Sequence, residues 1–175
     1  MADTLSKTAR SRVMSKVRSA DTKPEWILRC GLHRLGFRYR LSDDRLPGRP
    51  DLVFPRYRAV VFVHGCYWHR HLRCKDASTP KTNTSFWKAK FASNVQRDRR
   101  NLRELEDLGW RALVVWECDL MERTAATIER VADWLRQGRP SGAAHDGPAI
   151  DRGSLLAVAE QKVRYRIASY DESPK

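Results

Sequence analysis

The feature that most constrains the fold is an almost unbroken run of β-branched and apolar residues at positions 59–63. Such a run is typical of a strand that is buried on both faces, which requires helices on both sides of the sheet. Residues 52–54 and 111–116 predict two further buried strands, and residues 37–41 predict a fourth strand. The chain therefore has to build an α/β domain around a central strand at 59–63.

Three segments with helical periodicity flank these strands. A first helix is predicted to begin at Thr22, since Thr22 and Glu25 match a capping box and Pro24 suits the first turn. A long helix is predicted at residues 86–108 and another at 121–137. The apolar positions of the three helices are Leu28, Leu32, Leu35, Trp87, Phe91, Val95, Leu102, Leu105, Leu108, Ile128, Val131 and Leu135. This order of elements predicts a three-layer α/β fold with a mixed central sheet.

Composition divides the chain into three parts. Residues 1–20 are predicted to form a basic N-terminal arm, which lacks the apolar stretch of a secretory signal. Residues 21–137 hold the predicted α/β domain, and residues 138–175 hold a linker and a C-terminal extension with no predicted role. No apolar run approaches the ~20 residues that cross a bilayer. We therefore expect a soluble, cytoplasmic protein.

The formal net charge of +13 is the first indication of function. So large an excess causes self-repulsion unless a polyanion offsets it, and phosphate backbones are the commonest polyanions in cells. A membrane surface is the alternative, but the positive charge is spread along the chain and is not concentrated on one amphipathic helix. The charge therefore favours a nucleic acid as the partner, and no membrane.

Four soft metal ligands are spaced as in a zinc site. Cys66, His71 and Cys74 lie within nine residues of a predicted loop at 64–85, and Cys118 follows a predicted strand. Three thiolates and one imidazole close a tetrahedral shell, which predicts a structural Zn²⁺ that holds this loop in shape. The alternative is that Cys118 is a core thiol and that the two loop cysteines are incidental.

A second group of residues has the chemistry of a hydrolytic site. Asp51 directly precedes a predicted strand pair, and His64 and His69 flank the end of the strand at 59–63; clefts at strand ends are favoured ligand sites in α/β folds. Phosphodiester hydrolysis requires a carboxylate that holds Mg²⁺ and an imidazole that accepts a proton near its ordinary pKa of ~6.5. Taken singly, the aspartate could be a turn residue and the histidines solvated. Asp98, in an arginine-rich segment, either belongs to a solvated ion-pair face or reaches this site.

Two aromatic residues stand in the same polar loop. Tyr67 and Trp68 are hard to bury there, whereas apolar wedges inserted between base steps bend DNA. Unstacking costs least at a mismatch, so a wedge can detect one. Met14 in the basic arm is a candidate third member. A local cover over the metal site is the alternative.

In order and spacing, these residues resemble the very-short-patch repair (Vsr) DNA mismatch endonuclease family over about residues 5–137. The motifs that carry the resemblance are LPGRPD at 46–51, FVHGCYWH at 62–69, FW at 86–87, NV at 94–95, RDRR at 97–100, LGWR at 108–111 and VWEC at 115–118.

The resemblance implies a restriction-endonuclease-like fold, with residues 21–137 as the endonuclease domain. It implies a strand-specific nick in double-stranded DNA on the 5′ side of the T in a T:G mismatch, which arises when 5-methylcytosine deaminates. The expected protein is a bacterial DNA-repair hydrolase that acts at the nucleoid as a monomer, with repair-pathway proteins as candidate partners.

By matching positions, the resemblance also implies roles for single residues. Asp51 and the backbone carbonyl of Val63 would bind Mg²⁺. The residues that would orient or deprotonate water are His69, His64, Asp98 and Glu25. The structural zinc ligands would be Cys66, His71, Cys74 and Cys118, and the intercalating wedge would be Met14, Tyr67 and Trp68.

The chain departs from wider relatives in the nuclease superfamily, which carry an acidic residue and a lysine on the second strand. Here no Asp or Glu occurs between Asp51 and Asp76, so the imidazoles would take over that role. Tyr67 stands where Phe is more usual, and His71 and Cys74 are one residue further apart than in some relatives. Two other functions stay open: a zinc-stabilised DNA-binding module without catalysis, and a nuclease that cuts perfectly paired DNA.

Overall fold

The structure, a computed structural model, describes residues 20–138 together with Thr8 and Arg12. The predictions for Met14 and the rest of the arm, and for residues 139–175, lie outside the described residues. Among the residues that are described, no helix is both long enough and apolar enough to cross a membrane.

In the described part of the chain, four strands form one mixed sheet in the order β1-β2-β3-β4. They are β1 (Arg40–Leu41), β2 (Leu52–Phe54), β3 (Ala59–His64) and β4 (Arg111–Trp116). The β1–β2 and β2–β3 pairs are antiparallel, whereas β3 and β4 are parallel. The predicted mixed sheet is therefore confirmed, with β3 between two neighbours.

Within residues 20–138, five α-helices flank the sheet: α1 (Lys23–Arg34), α2 (Cys66–His69), α3 (Thr84–Asp107), α4 (Glu117–Glu122) and α5 (Thr124–Gln137). Helices α1, α4 and α5 contact one another, while α3 packs on α2 and β4. The sheet lies between these two groups of helices, and an apolar cluster fills the space on each of its faces. The three-layer arrangement is therefore confirmed.

The side chains of β3 explain why its sequence is apolar throughout. Ala59 and Val61 belong to the cluster that includes α1 and α5 residues, while Val60 and Phe62 belong to the cluster that includes Leu105 of α3. Successive strand residues point to opposite faces, so a strand covered on both sides needs apolar residues at every position.

Several boundaries differ from the prediction. The strand predicted at 37–41 is reduced to Arg40–Leu41, and Phe37 instead packs on the rings of Phe54 and Tyr57. Strand β4 lies at the end of the described sheet and is mostly half-buried. Leu108 was predicted on an apolar face but is 51% exposed.

The helix predicted at 121–137 is two helices that meet at Arg123, whose φ is −134°. The reason lies in two hydroxyl groups at the junction. Thr124 Oγ1 donates to the carbonyl of Leu120 at 2.6 Å, and Thr127 Oγ1 donates to the carbonyl of Asp119 at 3.0 Å. These side chains satisfy carbonyls of α4, which lets the backbone turn between α4 and α5.

A glycine sets the spacing between α1 and α5. A Cβ added at Gly31 would lie 2.9 Å from both Cγ1 and Cγ2 of Ile128, closer than side chains pack. We expect Gly31→Ala to lower the free energy of unfolding by about 1–2 kcal/mol, because overpacking outweighs the helix-propensity gain. Urea unfolding measures this.

The matched test places the same substitution in an Ile128→Ala background. There the obstruction is gone, so Gly31→Ala should stabilise the protein by up to about 1 kcal/mol. Equal effects of Gly31→Ala in the two backgrounds would contradict the role of this contact.

Candidate active site and metal cluster

A cleft of about 700 Å³ opens where β2 begins and β3 ends. Helix α3 forms one wall, and the start of α1 contributes to the other. Its lining includes the residues predicted for catalysis and magnesium binding: Glu25, Asp51, Val63, His64, His69 and Asp98. The fold therefore brings these residues to one concave surface, as ligand sites at strand ends require.

Asp51 stands at the entrance to β2 and is fixed by a backbone group of the neighbouring strand. Its Oδ2 accepts a hydrogen bond of 2.7 Å from the N–H of Val63. Burial raises the pKa of Asp51 to about 6, with a smaller contribution from the charge of Glu25, although the hydrogen bond from Val63 opposes the shift.

The loop before Asp51 passes close to α3 at Gly48. This residue has a φ of +74°, and a Cβ there would lie 2.6 Å from Asn101 Nδ2. Glycine therefore suits both the backbone conformation and the close approach.

The two histidines stack on each other at the end of β3. Their ring centroids are 3.8 Å apart and their planes differ by 16°. His64 is only 8% exposed, and burial, reinforced by the neighbouring His69, lowers the pKa of His64 to about 4. His64 is therefore neutral at physiological pH, which avoids two positive rings in contact.

Helix α3 contributes a carboxylate to this pair. Asp98 Oδ2 lies 2.6 Å from His69 Nδ1. Burial disfavours the ionised form of Asp98, but the hydrogen bond from His69 and the nearby positive charges together outweigh it, so the pKa of Asp98 lies below its usual value. An acceptor at Nδ1 places the ring proton there and leaves Nε2 as the basic nitrogen. Asp98 thus reaches the cleft and is not part of a solvated face.

Glu25 is 4% exposed and has its oxygens committed to neighbours. It forms an ion pair of 2.7 Å with Arg29 and accepts hydrogen bonds from the Thr22 hydroxyl at 2.8 Å and the Asp21 N–H at 3.0 Å. The predicted capping box is therefore altered: Thr22 donates to Glu25 and does not cap the backbone of α1 with its side chain. Arg29 also pairs with Asp21.

Outside the cleft, the predicted soft ligands form a second cluster. The ligand atoms of Cys66, His71, Cys74 and Cys118 all lie within 4.8 Å of one another. His71 Nδ1 lies 3.6 Å from Cys66 Sγ and 3.3 Å from Cys118 Sγ. Sulfur and nitrogen bound to one tetrahedral zinc ion are about 3.6 Å apart. The cluster therefore has the donor types and spacing of a closed metal site, and Cys118 is not a core thiol.

Without a metal ion, burial keeps Cys66 and Cys118 of the cluster as neutral thiols and disfavours their thiolates. Burial raises the pKa of Cys66 to about 12, and it also raises the pKa of Cys118. The loop reaches this arrangement through turns at Arg70 and Arg73, which have φ values of 58° and 60°. Left-handed backbone at residues with a Cβ carries strain. Packed thiols and strained turns are what metal coordination would stabilise.

Tyr67 and Trp68 pack among aromatic residues of α3 and do not stack on the metal ligands. Tyr67 lies 5.2 Å from Phe91, and Trp68 lies 6.2 Å from Trp87, both measured between ring centroids. The ring that stacks on a ligand is Trp116, at 4.2 Å and 8° from His71. The covering role is therefore performed by Trp116, and Tyr67 and Trp68 join a half-exposed aromatic surface beside the cleft.

Sequence reasoning missed several residues of this region. Glu117 lines the cleft, as do Lys90 and Asn101 of α3. Trp116 and Glu117 directly precede Cys118, so their adjacency to a predicted ligand was the available signal. The sequence around Lys90 and Asn101 gave no such signal, since polar residues on a long helix are usually solvated.

An α/β fold with a strand-end cleft lined by carboxylates and imidazoles, beside a group of four soft ligands, is an arrangement typical of hydrolases. A profile of the family described as DNA mismatch endonuclease Vsr matches residues 2–75. The chain is 44% identical to the DNA mismatch endonuclease Vsr of Escherichia coli K12 over 139 residues, covering 77% of this chain and 88% of the relative.

Two nicking enzymes are also similar. The type II nicking enzyme V.NmeAIP of Neisseria meningitidis serogroup A is 46% identical over 78% of this chain and 96% of its own length. The type II nicking enzyme V.XorIIP of Xanthomonas oryzae pv. oryzae is 45% identical over 76% of this chain and 98% of its own length. The chain therefore belongs to the Vsr family of DNA mismatch endonucleases.

Burial of Asp51 has a measurable cost. Its pKa in the folded protein, about 6, exceeds the ordinary value of 3.8, so ionisation opposes folding; the cost is absent below about pH 4 and complete above about pH 6. Without added Mg²⁺, Asp51→Asn should raise the free energy of unfolding at pH 7.5 by about 1–2 kcal/mol.

The stability gained by Asp51→Asn should disappear at pH 4. Chemical denaturation of the parent and the variant at the two pH values measures this difference in the free energy of unfolding. The exposed Asp44→Asn is the control and should change stability little at either pH. A variant at position 51 that is less stable than the parent at pH 7.5 would contradict this assignment.

Proposed function

We propose that the chain nicks duplex DNA on the 5′ side of the T in a T:G mismatch, using Mg²⁺, and so initiates very-short-patch repair of deaminated 5-methylcytosine. The observation that carries this proposal is the meeting of Asp51, His64, His69 and Asp98 at one cleft in a member of a mismatch endonuclease family. A restriction-endonuclease-like fold is part of the proposal, and the mixed sheet with helices on both faces supports it.

Asp51 is the proposed magnesium ligand. One of its oxygens is occupied by the Val63 N–H, which fixes the carboxylate and leaves its other oxygen for a cation. The carbonyl of Val63 is the proposed second protein ligand, as the family resemblance implies. Bound Mg²⁺ would supply a Lewis acid that polarises the scissile phosphate.

His69 is the proposed general base. Its Nδ1 is held by Asp98 at 2.6 Å, so Nε2 is the nitrogen that accepts a proton from the attacking water. His64 stacks on the same ring; being neutral, it orients water by hydrogen bonding without competing for the proton. Glu25 keeps Arg29 in place and maintains a negative charge beside Asp51.

The walls of the cleft suit a nucleic acid. Arg49, Lys90 and Arg97 line it with exposed cationic side chains, which can neutralise phosphates. Tyr67 and Trp68 are the proposed wedge between base steps, since both rings remain partly exposed beside the cleft. Met14, the third proposed member, lies outside the described residues.

A nicking assay tests the reaction. A duplex with one T:G pair, labelled on both strands, should be cut on the T strand only, 5′ to the T, and only when Mg²⁺ is present. Asp51→Asn should lower the single-turnover rate on the order of 10³-fold, because the cation loses its anionic ligand. His69→Ala should lower it roughly 10²-fold or more.

Asp44→Asn, at an exposed residue that does not line the cleft, is the matched control and should nick at the parent rate. Mismatched duplex that is bound but never cut, across several divalent cations, would instead identify a DNA-binding module. Equal cutting of T:G and fully paired duplexes would identify a nuclease without mismatch specificity.

The Cys66, His71, Cys74 and Cys118 cluster is the proposed structural zinc site. We expect about one zinc ion per purified chain. Cys118→Ser should lower that content and reduce the melting temperature, since the loop loses its cross-link. Elemental analysis and thermal melts measure both quantities.

Cys30→Ser is the matched control, because Cys30 lies in α1 and is not one of the clustered ligands. It should keep the full zinc content. A zinc-free parent protein with an unchanged melting temperature would contradict the proposed site.

A further inference from the structure

Helix α3 has a second, arginine-rich face outside the cleft. On α3, the cleft is lined by Lys90, Asn94, Arg97, Asp98, Asn101 and Leu102. A separate groove of about 700 Å³ is lined by α3 residues at helical spacing: Ala92, Val95, Gln96, Arg99, Arg100 and Arg103. At 100° per residue these two sets point to opposite sides of the helix. The arginine-rich groove is therefore not a wall of the active site.

The positive charge in this groove is largely uncompensated. Arg99 and Arg103 form no ion pair within residues 20–138, and like charges four positions apart repel each other on a helix. Arg100 pairs with Glu104 at 3.6 Å, but both side chains are well exposed, so this pair contributes little. Such a stripe is unfavourable until an anion covers it.

Arg70 joins the groove to the aromatic surface. Its guanidinium donates to the carbonyl of Ser78 at 3.0 Å and to Thr79 Oγ1 at 2.9 Å, and it lies 4.4 Å from the centre of the Phe91 ring. The Phe91 ring in turn contacts Tyr67, one of the two proposed wedge residues. The groove therefore begins directly behind the wedge.

We propose that this groove, which we call the α3 arginine track, binds the sugar-phosphate backbone of the duplex flank that leaves the wedge. Residues 92–103 span roughly 16 Å of helix, about five base steps of one strand. DNA in the cleft can reach the opposite side of α3 only if it bends, and intercalating wedges kink duplexes by roughly 20–90°. The track would thus hold the kinked flank; this inference rests on the proposed function.

The test compares a short T:G duplex that fills only the cleft, about 10 base pairs, with a long one of about 30. In Arg99→Gln/Arg103→Gln, affinity for the long duplex should fall roughly tenfold, and its log–log salt slope should decrease in magnitude by about 2. Affinity for the short duplex and its single-turnover nicking rate should stay at parent values. Fluorescence anisotropy across salt concentrations measures the binding.

Two variants make the result specific. Arg130→Gln/Arg136→Gln removes the same charge from α5, outside the track, and should keep the parent slope on the long duplex. Arg99→Lys/Arg103→Lys keeps the charge and should retain most of the slope. An unchanged slope in the glutamine variant, or an equal loss in the α5 control, would overturn the track.

Failure of the proposed function would give a different pattern. The parent would then bind T:G duplexes without cutting them, while the length-dependent loss in the track variant would persist. If an acidic protein occupied the track instead of DNA, the glutamine variant would bind both duplexes as the parent does. That result would also overturn the inference.

Discussion

The parallel pairing of β3 with β4 is the constraint on which both candidate sites depend. The two strands pair from Ala59 and Arg111 to His64 and Trp116. Because they are parallel, both strands end at the same end of the sheet. Gly65 and Cys66 follow one strand, and Glu117 and Cys118 follow the other. Residues far apart in sequence therefore emerge side by side, and this end of the sheet supplies candidate metal ligands to the cluster and polar side chains to the cleft.

Trp116 physically connects these two sites. It stacks on His71 at 4.2 Å and meets His64 edge-on at 5.5 Å, and His64 stacks in turn on His69. Helix α2 makes a second connection, because this single turn begins with Cys66 and ends with His69. Since a loop so poor in apolar residues has little core of its own to define its shape, the position of His69 would depend on the proposed zinc site as well as on Asp98.

Local sequence patterns were sufficient where the signal itself was local. The run at 59–63 predicted a doubly covered strand, and Cys66, His71 and Cys74, which lie within nine residues, predicted most of the ligand cluster. The break at Arg123 was missed because it depends on which carbonyls the hydroxyls of Thr124 and Thr127 reach. Whether Asp98 was solvated or part of the site likewise depended on how α3 packs against α2, and no spacing rule encodes that packing.

The raised pKa of Asp51 would make binding of the proposed cation depend on pH. Burial shifts Asp51 and His64 towards their neutral forms, with pKa values of about 6 and about 4. The proposed cation next to Asp51 would favour the carboxylate and offset the cost of burying that charge. Below about pH 6 it would have to displace a proton from Asp51, whereas at pH 7.5 the carboxylate is already ionised. The desolvation that weakens the fold at neutral pH would thus leave an anionic ligand with few competing solvent contacts, and occupation of the proposed site would stabilise the domain.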